Sequence, residues 1–163
     1  NAMEAIASGA TDGLKLAANV AGMLVAFISI IAMFNYLLSF ANTSIDQILG
    51  LIFQPLAWTM GISWEDSSIV GTLMGKKIAF TELIAFGDLR NIIENGQISD
   101  RSALIASYAL CGFANFGSIG IQLGGIGAMA PERKKDLSKL VTKAMIGGAL
   151  ASWLTATIAG LII

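Results

Sequence analysis

The run Ala103-Leu-Ile-Ala-Ser-Tyr-Ala-Leu-Cys-Gly-Phe-Ala-Asn-Phe-Gly-Ser-Ile-Gly-Ile-Gln-Leu-Gly-Gly-Ile-Gly127 is uncharged, apolar and long, yet it holds six glycines from Gly112 onward. A helix crosses a bilayer with about 20 mostly apolar residues. Each glycine inside a helix costs about 1 kcal/mol relative to alanine. The stretch therefore predicts a transmembrane helix over residues 102–130 that is broken in its middle. Gly112 and Gly117 flank Asn115, so an unwound turn there would turn backbone N–H and C=O groups toward a cavity. Asn115 and Ser118 stand three residues apart, and on spacing alone they could equally serve as hydrogen-bonding cement between helices.

The rest of the chain agrees with a membrane setting. Of 163 residues, 55% are hydrophobic and 13% charged, against about 25% charged in soluble domains, and mean hydropathy is +0.74. No charge falls within residues 16–45, 47–64, 102–131 or 144–163. A net charge of −1 suggests no nucleic-acid partner. With no histidine and one cysteine, zinc sites of the His/Cys type, an intrachain disulfide and His-assisted hydrolysis all lack their parts. The expectation is that the chain is not an enzyme and binds no covalent cofactor.

Residues 16–40 read as a transmembrane helix, apolar on every side. Ala18, Gly22 and Ala26 form a stripe of small residues suited to close helix packing. Asn1-Ala2-Met3 reads as a tag remnant. Residues 47–64 hold Pro55, Gly61, Trp58 and Trp64, which predicts an interfacial helix, because tryptophan favours the headgroup level. Over 67–87, two apolar half-helices flank Gly75-Lys76-Lys77, the pattern of a re-entrant hairpin with its tip at the lysines. A polar loop is expected over 88–101, with Asn95-Gly96 as its turn. Arg133, Lys134, Lys135, Lys139 and Lys143 mark a cytoplasmic loop by the positive-inside rule, and 144–163 is a final span. Helix parity then places residues 42–46 and 88–101 outside and the chain start inside. The fold class is all-α membrane protein.

Glu82 is an ionisable residue within a membrane segment, where insertion costs about 2.5 to 3.5 kcal/mol on the lenient scale, so it is a candidate functional group. The competing expectation pairs it with Lys76 or Lys77. Gln122 is a further polar group at membrane depth. Phe113 beside Asn115 would offer an aromatic face next to hydrogen-bonding groups, or would simply face core or lipid. Gly124-Gly-Ile-Gly127 has neither the spacing nor the preceding strand of a nucleotide loop.

From Ala109 through the Cys111-Gly-Phe-Ala-Asn-Phe-Gly-Ser118 segment to Gly127, the sequence resembles the C-terminal half of the concentrative nucleoside transporters. The likeness extends through Ser8–Val20, Pro55-Leu-Ala-Trp58, Met60-Gly-Ile-Ser-Trp64, Gly75-Lys-Lys77 and Ala130–Asp136. It implies the second of two inverted repeats, in which residues 4–163 take part in sodium- or proton-coupled nucleoside uptake by alternating access. A cytoplasmic-membrane, multi-pass homotrimer is implied, completed by an N-terminal half that holds most of the ion site. By the same resemblance Glu82, Asn115 and Ser118 would bind ribose, Phe113 would contact the base and Leu16 would wall it. The family commonly has Asn-Glu-Phe where this chain has Thr81-Glu82-Leu83, so the acid is kept and its flanks are changed. A structural membrane subunit, or a carrier of another small polar solute, is the alternative that residue spacing alone leaves open.

Overall fold

The computed structural model describes residues 1–163 as seven α-helices with no strand. Helix α1 spans Ala2–Ser39, α2 Ile45–Thr59, α3 Trp64–Ala79, α4 Glu82–Glu94, α5 Asp100–Leu110, α6 Phe116–Met129 and α7 Lys134–Ile162, with a 3-10 turn at Pro131–Arg133 before α7. Two of the helical stretches, Ala2–Ser39 and Pro131–Ile162, are long and apolar enough to cross a membrane.

Helices α2 and α3 pack so closely that only glycine fits at their contact. A Cβ on Gly71 would lie 2.6 Å from the Gly50 carbonyl oxygen, and one on Gly75 would lie 2.6 Å from that of Asp46. Ser67, Gly71 and Gly75 recur every four residues, so they share one face of α3 and let the two backbones touch, the usual device of membrane helices. The main core lies beside this contact, where Val70, Leu73 and Met74 of α3 meet Ala85 and Leu89 of α4 and Ile105, Ala106 and Leu110 of α5.

Several boundaries differ from the sequence expectation. The hairpin tip is at Phe80-Thr81, not at Gly75-Lys-Lys77; α3 runs straight through the lysines. Gly75 is there for contact with α2, and its neighbouring charges find partners inside the fold, so neither breaks the helix. Residues 88–94, expected as loop, extend α4, because Leu89 faces the core. The chain does turn at Asn95-Gly96, where Gly96 takes φ +63°. The basic cluster from Lys134 to Lys143 belongs to α7 rather than to a loop. Pro55 lies within α2, which ends at Thr59 and is followed by Met60 as its C-cap and by Gly61 at φ +96°.

The Ala18, Gly22, Ala26 stripe is not used as a seam here: all three are exposed, and Gly22 has nothing within 4 Å. The small residues at the α1 contact belong to the other helix. Gly117, Gly120 and Gly125 of α6 receive Leu24, Phe27 and Leu16 of α1. Bulky side chains of α1 thus lie on a smooth glycine face of α6.

Candidate functional site

The break expected between residues 103 and 127 is present and spans 111–115, between the end of α5 and the start of α6. Gly112 sits at φ +139°, a backbone region that favours glycine, and Asn115 is extended at φ −143° and ψ 167°. Asn115 caps α6: the Ser118 amide donates to its Oδ1 at 2.8 Å, and the Asn115 amide donates back to Ser118 Oγ at 3.3 Å. Ser118 Oγ also donates to the Asn115 carbonyl at 2.6 Å. This reciprocal capping satisfies amide groups that a helix start leaves without partners, and it fixes both side chains, each fully buried.

Glu82 is the first residue of α4, with Thr81 as its N-cap; the Ile84 amide donates to the Thr81 hydroxyl at 3.4 Å. Asn115 Nδ2 donates to Glu82 Oε2 at 3.2 Å. The starts of α4 and α6, each carrying the positive end of a helix dipole, therefore converge on one carboxylate. Neither lysine pairs with Glu82. Lys76 forms an ion pair with Asp88 across the hairpin, and Lys77 is held elsewhere.

Phe113, half exposed, sits within the break two residues before Asn115. Leu16 is not brought to this cluster. It packs against Gly125 and lines a groove with Asp12, Asn19 and Met129. The α1 residue lying against the first turn of α6 is Leu24, beside Gly117, about 12 Å further along the helix at 1.5 Å per residue. Gln122 faces a crevice between α6 and α7 with Leu123, Leu137 and Leu140.

Lys77, expected from sequence as half of a solvated lysine pair at the hairpin tip or as a partner of Glu82, is neither. It is fully buried, and its Nζ donates to the Ala109 carbonyl and to Ser152 Oγ, each at 3.0 Å. The signal available was its doublet with Lys76 next to a glycine, which looked like a polar tip.

At the far end of α3, Asp66 accepts from the Ser99 hydroxyl at 2.7 Å and from the Ser99 amide at 3.3 Å. Partial burial disfavours its charge, but hydrogen bonds from Ser99, Ser102 and Ser63 outweigh that and hold its carboxyl below the usual range.

A family model described as "Na+ dependent nucleoside transporter C-terminus" matches residues 1–160. The chain belongs to this family. It is a family of transporters, not of enzymes, and its members are membrane proteins. The chain is 40% identical to the uncharacterized transporter YutK of Bacillus subtilis, covering all of this chain and 42% of that protein. It is also 40% identical to the putative nucleoside permease NupX of Escherichia coli, over 99% of this chain and 41% of the permease. A solved structure of a CNTnw variant in an intermediate state superposes with a TM-score of 0.90 at 39% identity, covering all of this chain and 42% of that one. The chain thus spans less than half the length of these relatives, and the broken helix and the two-armed hairpin are elements of a fold shared with a CNTnw structure.

Proposed function

We propose that this chain supplies the ribose-binding part of a nucleoside carrier of the cytoplasmic membrane that spans it several times, couples uptake to sodium and works by alternating access. The observation that carries the reading is the hydrogen bond between Glu82 and Asn115, made where two helix starts meet beside an unwound segment. A carboxylate acceptor and an amide with both donor and acceptor atoms match the paired hydroxyls of a ribose, which donate and accept at once. Ser118 keeps Asn115 in register, and Phe113, at the open break, contacts the base. Sodium is preferred to the proton as coupling ion because the matching family is described as sodium dependent.

The smooth α6 face supports a sliding motion. If the hairpin and the broken helix travel along α1 as a scaffold, Leu16 meets the start of α6 after a shift of about 12 Å, so Leu16 walls the base at one end of the cycle and Leu24 at the other. The full-length protein works as a homotrimer, with the preceding half completing the pocket.

The test is uridine binding and uptake by the full-length protein, with and without a sodium gradient. Glu82→Gln and Asn115→Ala should each weaken uridine binding about tenfold or more, the loss of a charge-assisted hydrogen bond. Unchanged binding and uptake in Glu82→Gln would falsify the ribose assignment, and uptake indifferent to sodium would remove the coupling assignment.

A further inference from the structure

Lys77 is a buried ammonium with no acidic partner. No carboxylate lies within 4.0 Å of it, whereas Lys76, its neighbour, has Asp88. A charge at membrane depth is costly and calls for compensation. Its acceptors show what compensates it. Ala109 lies in the last turn of α5, where the four final carbonyls have no partner within their own helix and where the negative end of the helix dipole sits. Ser152 is oriented to receive it: its hydroxyl donates to the Ala149 carbonyl at 2.9 Å, leaving a lone pair for the lysine. The break lies directly against the ammonium: a Cβ built at Gly112 would stand 3.6 Å from Nζ, in ordinary contact.

We propose that Lys77 is a tethered cation: its ammonium fills a small cation site made by the end of α5, the break at Gly112 and Ser152 of α7, and so holds the break in the register that sets Asn115 against Glu82. Lys77 is a positioning residue, since it touches neither Glu82 nor Asn115 by hydrogen bond. It acts through the unwound segment, whose first two residues are Cys111 and Gly112 and whose last is Asn115. Because α3 leads directly to Thr81 and Glu82, the same side chain also ties the hairpin arm bearing the carboxylate to the helix bearing the amide. The role rests on the ribose reading above, but the cation site itself does not.

The site makes a distinctive demand. If the tether is removed and space is left, a free alkylammonium of similar size should occupy it; if the space is filled by a neutral side chain, nothing should. The experiment uses the full-length protein with Cys111 as its only reactive thiol, and compares Lys77→Ala, Lys77→Gln and Ser152→Ala. Two quantities are read: the uridine dissociation constant, and the rate at which N-ethylmaleimide alkylates Cys111, which is exposed at the break. Both Lys77 variants should weaken uridine binding about tenfold or more and change the alkylation rate. Ethylammonium should restore both readouts in Lys77→Ala and neither in Lys77→Gln, and the larger choline should restore nothing. Wild-type behaviour of Lys77→Gln overturns the proposal, because the charge is then not used. So does a Lys77→Ala defect indifferent to ethylammonium. Should neither Lys77 variant fold, Ser152→Ala decides: it keeps the ammonium and removes one acceptor, and an unaltered alkylation rate refutes the site. Cys111 alkylation involves no nucleoside, so it judges Lys77 even if Glu82→Gln shows the ribose assignment to be wrong.

Discussion

Replacing Gly71 by alanine adds one methyl group at the point where α2 and α3 are closest. The new Cβ would stand 2.6 Å from the Gly50 carbonyl oxygen, 2.8 Å from the Gln54 amide nitrogen and 3.0 Å from the Gln54 Cα. Ordinary contact begins at 3.4 Å, so the shortfall is about 0.8 Å, and all three atoms are backbone, which no rotamer change can move aside. The helices must separate instead, and dispersion contacts along the seam are lost with them. Overpacking of this kind costs about 1 to 3 kcal/mol, while alanine returns up to about 1 kcal/mol through its helix propensity. The expected net loss is about 1 to 2 kcal/mol, seen as a lowered melting temperature. The control is Gly147→Ala in α7, where a Cβ meets nothing within 4 Å and propensity alone acts, so stability should hold or rise slightly. The assay is thermal unfolding of the full-length protein purified in detergent, wild type and both variants side by side. A Gly71→Ala protein that melts at or above wild type, or that matches Gly147→Ala, refutes the idea that backbone contact joins these helices.

Gly112→Ala should raise the uridine dissociation constant about tenfold, read by calorimetry, since alanine at φ +139° costs about 1 to 3 kcal/mol of strain; unaltered affinity counts against a rigid break. Arg101 donates to the Gly61 carbonyl and, at 2.6 Å, to that of Gly160, joining the ends of α2 and α7. Arg101→Ala should lose about 1.5 to 3 kcal/mol, and Arg101→Lys should recover only part because a lysine cannot span both acceptors with a planar fork; equal melting of the lysine variant and wild type speaks against the clamp. Asp66 has its folded value lowered, so its contribution is complete above its unfolded value of about 3.9 and disappears as pH falls through the lower folded value. Ser99→Ala removes the hydroxyl hydrogen bond while the backbone amide at 99 still donates, and it should move acid unfolding to higher pH, followed by tryptophan fluorescence; a midpoint that stays put shows that the Ser99 hydroxyl does not hold the carboxyl.

The break in 103–127 was legible because glycine acts locally and six of them occur there from Gly112 onward, whereas the capping of α6 by Asn115 and Ser118 was not read from their spacing, which suits a shared helix face equally well. The meeting of Glu82 and Asn115 was not legible either, since 33 residues separate them and only packing of the hairpin against the broken helix brings them together. Resemblance supplied that pairing, and it also named Leu16, which the fold sets against Gly125 and away from the cluster. The hairpin tip was misplaced for an instructive reason. Gly75 followed by two lysines carries every local mark of a turn, but the glycine serves contact with α2, while one lysine finds Asp88 and the other a helix end. Local chemistry cannot tell a glycine that bends a chain from one that admits a neighbour.

An acid and a base placed at membrane depth within five residues of each other, Glu82 and Lys77, would be expected to pair, and they do not. The reason lies in what each has instead. Breaking one helix at 111–115 creates two new ends of opposite polarity: the end of α5, whose free carbonyls take the ammonium, and the start of α6, whose cap takes the carboxylate. The start of α4 adds a second positive end at Glu82 itself. Each charge is therefore held by hydrogen bonds at a helix end rather than by an ion pair with the other, Lys77 by the Ala109 carbonyl and Ser152 Oγ and Glu82 by Asn115 Nδ2, and the carboxylate keeps lone pairs free. A direct Lys77–Glu82 pair would occupy the acceptor that the proposed ribose contact needs. The broken helix is thus what allows a charged group to stay available inside an apolar protein, and restoring helix across 111–115 should abolish ligand binding even with every polar side chain in place.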